Sequence, residues 1–223
     1  MSKFVVLTDS TCDLPDELAK QHDIDILCFK IALDGEGYTE RVDFTPEQFC
    51  QMLRNATGLP TTAQITQFEF MERFEEYDRQ GVEQTLYISI NAGGSGTNAA
   101  AHAAAAQFHE EHPDSRMEIF IVDSHAYSMA EGAGVIEAKQ KLDAGETMES
   151  VVEYLNDKYA KMEILLTAYT LKVIRKSGRI SAAAAIAGDL LGIHPIFTLN
   201  DGVSQVVKKV RGEKAVVSSM ATT

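Results

Sequence analysis

Thr85-Leu86-Tyr87-Ile88-Ser89-Ile90, then Asn91-Ala92-Gly93-Gly94-Ser95-Gly96-Thr97, then Asn98-Ala99-Ala100-Ala101 and a further alanine-rich run to Phe108 form the stretch that decides the fold class. Residues 85–90 are dominated by β-branched and aromatic side chains and read as a buried strand. Residues 98–108 read as a helix whose small side chains demand close packing against a neighbour. Strand, glycine loop and helix in that order form the opening of a crossover unit, the building block of a parallel sheet covered by helices.

Outward from this unit the alternation continues. Phe4-Val5-Val6-Leu7-Thr8-Asp9 is a strand, and Asp13 followed by Pro15, Asp16 and Glu17 opens a helix that runs to about Gln21. Residues 24–31 are expected to form a second strand, and Pro46 introduces a helix over 45–54. Another helix is expected over 66–79, a strand over 117–122 ending at Asp123-Ser124, and helices over 133–143 and 148–162. From Glu163 the character changes. A strand over 164–168, a short helix over 170–177, an apolar helix over 182–193 and a strand over 195–199 precede a hairpin strand from Gly202 to Lys209. The latter enters a basic segment with Lys208, Lys209, Arg211 and Lys214. The expected class is α/β, a parallel sheet with flanking helices, divided near 160 into an N-terminal α/β domain (1–160) and the start of a second α/β domain (161–223).

The chain has 223 residues, 45% of them hydrophobic and 24% charged, enough for a sizeable core in an ordinary globular protein. Twenty Lys+Arg against 33 Asp+Glu give a net charge of −13, which repels nucleic acid and anionic membrane surfaces. Cys12, Cys28 and Cys50 are odd in number and include no C-x-x-C pair, so a reducing, cytoplasmic setting is expected. No basic and apolar leader opens the sequence. The apolar passage 182–193 is broken by Gly188, Asp189 and Gly192 and is shorter than the roughly 20 residues of a membrane span, so no stable membrane insertion is expected.

Chemistry concentrates in the glycine loop. Glycines let the backbone approach a ligand, the following helix offers unpaired N–H groups, and Ser95 and Thr97 add hydroxyls, a combination suited to an anion such as a carboxylate. The bland alternative is a tight turn with a helix cap. No Lys follows, which excludes a Walker phosphate loop, and a dinucleotide fingerprint does not fit. Thr97 stands where a serine-hydrolase elbow needs glycine, leaving as the alternative function a hydrolase with Ser95 as nucleophile, His102 or His125 as base and an Asp as orienter. Pro60-Thr61-Thr62-Ala63-Gln64 reads as a polar turn. Thr8-Asp9-Ser10-Thr11 and Asp123-Ser124 end strands, where open α/β sheets place ligands, though capping accounts for them equally. Ser177-Gly178-Arg179 offers a cation after a helix. His109-Glu110-Glu111-His112 is one residue short of the zinc-protease spacing and reads as a solvated helix end, so no metal is expected.

Taken together, Thr8-Asp9-Ser10-Thr11 with Asp13-Leu14-Pro15, Pro60-Thr61-Thr62-x-Gln64, Ser95-Gly96-Thr97, Val122-Asp123-Ser124, Gly178-Arg179-Ile180-Ser181, and Leu190-Leu191-x-Ile193-x-Pro195 followed by Asp201-Gly202 resemble the DegV family of bacterial fatty-acid-binding proteins. The order and spacing fit over nearly the whole chain. The resemblance implies a two-domain α/β fold with a long acyl chain, such as palmitate, buried between the domains. It implies a carboxylate held by hydroxyls at Thr62 and Ser95, with Gly96, Thr97, Asn91 and Arg179 as further contacts, no cofactor and no catalytic residue. It also implies a carrier that presents the acid to a partner, in some relatives a fatty acid kinase. Departures are Asn91-Ala92 for Ser-Ser, Ala63 for Ser, and Gly94 for Leu. Relatives usually continue for several tens of residues beyond the position of Thr223, so the second domain is expected to be C-terminally short.

Overall fold

The computed structural model describes residues 4–168, 192–200 and 203–223. In chain order the first elements are β1 (Phe4–Asp9), α1 (Asp16–Gln21), β2 (Ile24–Leu27), β3 (Lys30–Leu33), β4 (Glu36–Thr39), α2 (Pro46–Asn55), β5 (Thr61–Ala63) and α3 (Gln67–Arg79). They are followed by β6 (Gln84–Ser89), α4 (Thr97–Glu111), β7 (Glu118–Asp123), α5 (Met129–Asp143) and α6 (Met148–Ala160). Next come β8 (Leu165–Thr167), β9 (Ile193–Asn200), β10 (Val203–Arg211) and the short helix α7 (Val216–Met220). The chain divides into two compact units, Met1–Ala160 and Lys161–Thr223.

The first unit is organised by a parallel sheet of order β2-β1-β6-β7. Successive side chains of a strand face opposite ways, so each strand serves two layers. Leu7 and Tyr87 belong to a core with Phe70 and Phe74 of α3 and Ala101, Ala104 and Phe108 of α4. Here Tyr87 meets Phe70 edge-on at 4.9 Å and Phe74 meets Phe108 at 6.3 Å. The alanine face of α4 is thus explained: its small side chains let this long helix lie close to its neighbours. Val6, Leu86 and Ile88, one step off in the alternation, are equally buried and supply the other layer, where α5 packs on β1, β2 and β6 and α6 packs on α5. An added Cβ at Gly132 of α5 would stand 2.7 Å from the Cys12 carbonyl, so only glycine permits this approach to the turn after β1.

Two sequence expectations need correction. Residues 24–31 are two strands, not one. β2 joins the parallel sheet, the chain turns at Cys28 and Phe29, and β3 starts a separate antiparallel sheet of order β4-β3-β5. The Phe29 N–H donates to Ser10 Oγ at 3.0 Å, which fixes that break. The expected polar turn at 60–64 contains strand β5, because Thr61 and Thr62 find a partner in β3 that local sequence does not reveal. Strand β4, which the sequence reading did not name, follows Asp34-Gly35, whose positive φ angles of 51° and 90° make the tight two-residue turn that aligns Leu33 with Glu36.

In the second unit the described strands form an antiparallel sheet of order β10-β9-β8 over a small core of Ile196, Val210 and Val216. The helices expected at 170–177 and within 182–193 lie outside the described residues, as do Arg179 and Asp201-Gly202. Among the described residues no helix is long and apolar enough to cross a membrane.

Candidate functional site

The glycine loop leaves β6 at the carboxyl end of the sheet and is wound around one buried side chain, Asn91. The Asn91 carbonyl accepts the N–H groups of Gly94 (3.0 Å) and Ser95 (3.2 Å). Its side-chain oxygen accepts from Gly93 N at 2.7 Å, and its amide donates to the His125 carbonyl at 2.9 Å. Asp123, at the end of β7, accepts from Ala92 N at 3.1 Å. Asn91 and Asp123 therefore spend their polar atoms on loop shape. The loop delivers the chain to α4, a helix of 15 residues whose N-cap residue, Gly96, has no side chain to cap it, while Thr97 N donates to Ser95 Oγ at 3.3 Å. The positive end of its dipole is thereby presented at Ser95-Gly96-Thr97.

Ser95 is half-buried and its hydroxyl lies 2.9 Å from that of the fully buried Thr97. Either can be the donor, so when the Ser95 hydroxyl donates to an anion, Thr97 can donate to a lone pair of Ser95 Oγ and strengthen the contact. Gly96 is glycine for a steric reason: a Cβ there would sit 2.1 Å from Gln64 Oε1. Gly94 is similar, with the Tyr127 hydroxyl 2.2 Å from the place of a Cβ. Gln64 is the residue just past β5, so its reach to Gly96 brings the Thr62 strand to the Ser95 loop. Thr62 is exposed and pairs with Ile31, which in turn pairs with Tyr38. Paired residues share a sheet face, so the Thr62 hydroxyl has an apolar and aromatic neighbourhood. A cavity of about 340 Å³ over this small sheet is lined by Thr62 together with Ile31, Tyr38 and Lys30.

Beneath the loop lies a charged layer that sequence reading named only as a strand end. Asp9 is wholly buried and its Oδ2 accepts from the Tyr87 hydroxyl at 2.8 Å and from Ile90 N, which leads into the loop, at 3.0 Å. Glu131 of α5 is also wholly buried, with Thr8 and Thr11 at its two oxygens. Burial pushes both carboxyls up from their ordinary values, Glu131 well up, with the Asp9 charge adding to its shift.

Of the residues singled out by sequence, Ser95, Gly96 and Thr97 stand together, Gln64 links the Thr62 strand to them, and Asn91 supports them from inside. Arg179 lies outside the described residues. The hydrolase alternative would use Ser95 as its nucleophile. Its hydroxyl is bonded to Thr97, His102 lies on an exposed face of α4, and the Nδ1 of His125 lies 3.5 Å from Asp123 Oδ2. At the far end of α4, His112 stacks on Phe108 at 4.8 Å with its Nε2 3.2 Å from Glu75, a surface pairing with Glu111 nearby. The sequence missed Gln64 and Tyr127 as the side chains that fill the space left by two glycines. Glycine at 94 and 96 was the signal that something approaches closely, without saying what.

Comparison with known proteins gives concordant matches. Residues 3–223 match the model of a family described as uncharacterised proteins of the DegV family. A DegV domain-containing protein of Clostridium perfringens is 34% identical over 217 residues, which are 96% of this chain and 73% of the relative. A DegV family protein from Thermus thermophilus, solved in a study of its fatty acid binding, superposes with a TM-score of 0.85 at 27% identity, over 99% of this chain and 78% of that one. A fatty acid binding DegV family protein from Streptococcus agalactiae superposes with a TM-score of 0.85 at 28% identity, over 100% of this chain and 77% of that one.

Proposed function

The chain belongs to the DegV family, and from that premise we propose that it binds a long-chain fatty acid whose carboxylate is received at Ser95 and Thr62, as a carrier rather than a catalyst. The observation that carries this reading is the junction of Gln64 with Gly96. It brings the strand of Thr62 to the loop of Ser95 at the start of α4. A partly desolvated carboxylate needs several donors to offset its lost hydration, and hydroxyls together with a helix N-terminus supply them. Affinity comes mainly from the tail, since each buried methylene contributes about 0.8 kcal/mol and a long chain on the order of 10 kcal/mol before ordering costs.

Ser95 is half-buried and Thr62 and Gly96 are exposed, so the head group is held near the surface of this unit. That placement suits a carrier that offers its carboxylate to a partner enzyme such as a fatty acid kinase. Cys12, Cys28 and Cys50 are free thiols, as befits a cytoplasmic protein. The test compares palmitate with hexadecanol, which keeps the tail and lacks the charge, on the wild-type chain and on a Thr62→Val, Ser95→Ala double variant. The double variant is expected to lose about 10- to 100-fold in palmitate affinity, about 1.5–3 kcal/mol for hydrogen bonds to a charged group, with hexadecanol binding and Tm little changed. Undiminished palmitate affinity in a folded double variant contradicts the role of these hydroxyls.

A further inference from the structure

Three oxygens stand in a row over the carboxyl end of β1: Asp9 Oδ1, Thr11 Oγ1 and Glu131 Oε2. Thr11 Oγ1 is hydrogen-bonded to Asp9 Oδ1 and lies 3.1 Å from Glu131 Oε2. Two separate, near-linear hydrogen bonds in such a row need two protons, and the threonine hydroxyl owns one; sharing that one between two carboxylates would weaken both bonds and set two buried anions against each other. The second must be a carboxyl proton. On the other side of Glu131, Oε1 lies 3.1 Å from Thr8 Oγ1, which also donates to the Ile88 carbonyl at 2.9 Å. Asp9 is the better-served anion, because Thr11 N (3.1 Å), the Tyr87 hydroxyl (2.8 Å) and Ile90 N (3.0 Å) all donate to it. Among the described residues, the Glu131 carboxyl meets two hydroxyls and no N–H donor.

We infer that Asp9 and Glu131 hold one proton between them, with Asp9 the anion and Glu131 a neutral acid that donates through Thr11, and that Glu131 is a positioning residue for the turn beneath the glycine loop. The chain of donation runs Glu131 Oε2–H to Thr11 Oγ1–H to Asp9, and Asp9 in turn holds Ile90 N at the loop entrance. Backbone contacts tie the same parts: Ser128 N, just before α5, donates to the Thr11 carbonyl at 2.9 Å, and the Tyr159 hydroxyl of α6 donates to the Glu131 carbonyl at 3.0 Å. The titratable groups that face Glu131 are Asp9 from β1, Cys12 and Asp13 from the turn after it, Tyr87 from β6 and Tyr159 from α6. Among these, burial also pushes the Cys12 thiol up, to about 12, so it stays neutral beside the pair. The upward shift of Glu131 agrees with the proton count.

The inference stands whatever the loop binds, and it has its own readout. An unfolded glutamate loses its proton near pH ~4.3, whereas Glu131 keeps it when folded. Between that pH and the higher folded value, folding takes up a proton, and the folding constant falls about tenfold per pH unit as pH rises. The full chain is compared with Glu131→Gln, a neutral isostere that can still donate to Thr11. With glutamate carboxyls labelled with carbon-13, the infrared spectrum at neutral pH is expected to contain the stretch of a protonated acid that Glu131→Gln lacks. The wild-type folding constant is expected to fall relative to that of Glu131→Gln across the window above. An unprotonated Glu131 at neutral pH, or parallel stability curves, overturns the inference. If Glu131→Gln does not fold, Thr11→Val is read instead: it leaves both carboxyls and removes the bridge, so the acid band must shift, and an unmoved band overturns the inference equally.

Discussion

Gly96 shows how one missing carbon can organise a site. Gln64 Oε1 stands 2.1 Å from where its Cβ would be, so a side chain at 96 must displace either the glutamine or the loop. Gly96→Ala is therefore expected to destabilise the chain by about 1 kcal/mol at most, since the exposed Gln64 side chain can give way, and to weaken fatty acid binding by displacing it. Adding Gln64→Ala should restore most of the stability, because the clash is with the far end of a flexible side chain. Thermal melts of the two single variants and the pair read this directly, and additive losses would mean that the strain lies elsewhere. Sequence alone made Ser95, Gly96 and Thr97 legible as a candidate anion loop, since glycine and hydroxyl chemistry is local. It did not reveal Gln64 and Tyr127 as the fillers, or that Asn91 turns its amide inward, because those contacts join residues from separate elements. The pairing of Asp9 with Glu131 was equally out of reach, since it joins a strand end to a helix far along the chain.

At the scale of elements, what the sequence conveyed well was whatever carries its own period or caps. β1, β6 and β7 came through because buried parallel strands are near-continuous apolar runs, and α3 because Thr66 and Glu69 form a capping box ahead of Phe70 and Phe74. What it conveyed badly was the small antiparallel sheet. Residues 24–31 look like one apolar run, and the break at Cys28-Phe29 is imposed by the hydrogen bond from Phe29 N to Ser10. Thr61-Thr62-Ala63 has no apolar alternation and becomes a strand only because β3 offers it an edge. The Asp34-Gly35 turn is the local key to that sheet, with φ +90° at Gly35. Gly35→Ala is expected to cost about 1–2 kcal/mol and, by loosening β3 and with it Thr62, to weaken fatty acid binding as well. A denaturant titration alongside a binding titration tests both halves, and a stability loss without a binding loss would separate the small sheet from the site.

At the scale of the molecule, an acidic chain with a net charge of −13 is proposed to hold an anion, which is a demand on local structure rather than on overall field. The demand is met by aiming a helix start and paired hydroxyls at one point, where short-range hydrogen bonding outweighs screened long-range repulsion. In the proposed complex the tail would supply the affinity, and the head the preference for an acid. Both come to a single observable on the natively purified chain, its intact native mass compared with the fatty acids in its organic extract. The account expects one long-chain fatty acid per chain, lost on denaturation and regained when palmitate is added to the emptied protein. A chain that is purified empty and takes up no palmitate would contradict the proposed carrier function.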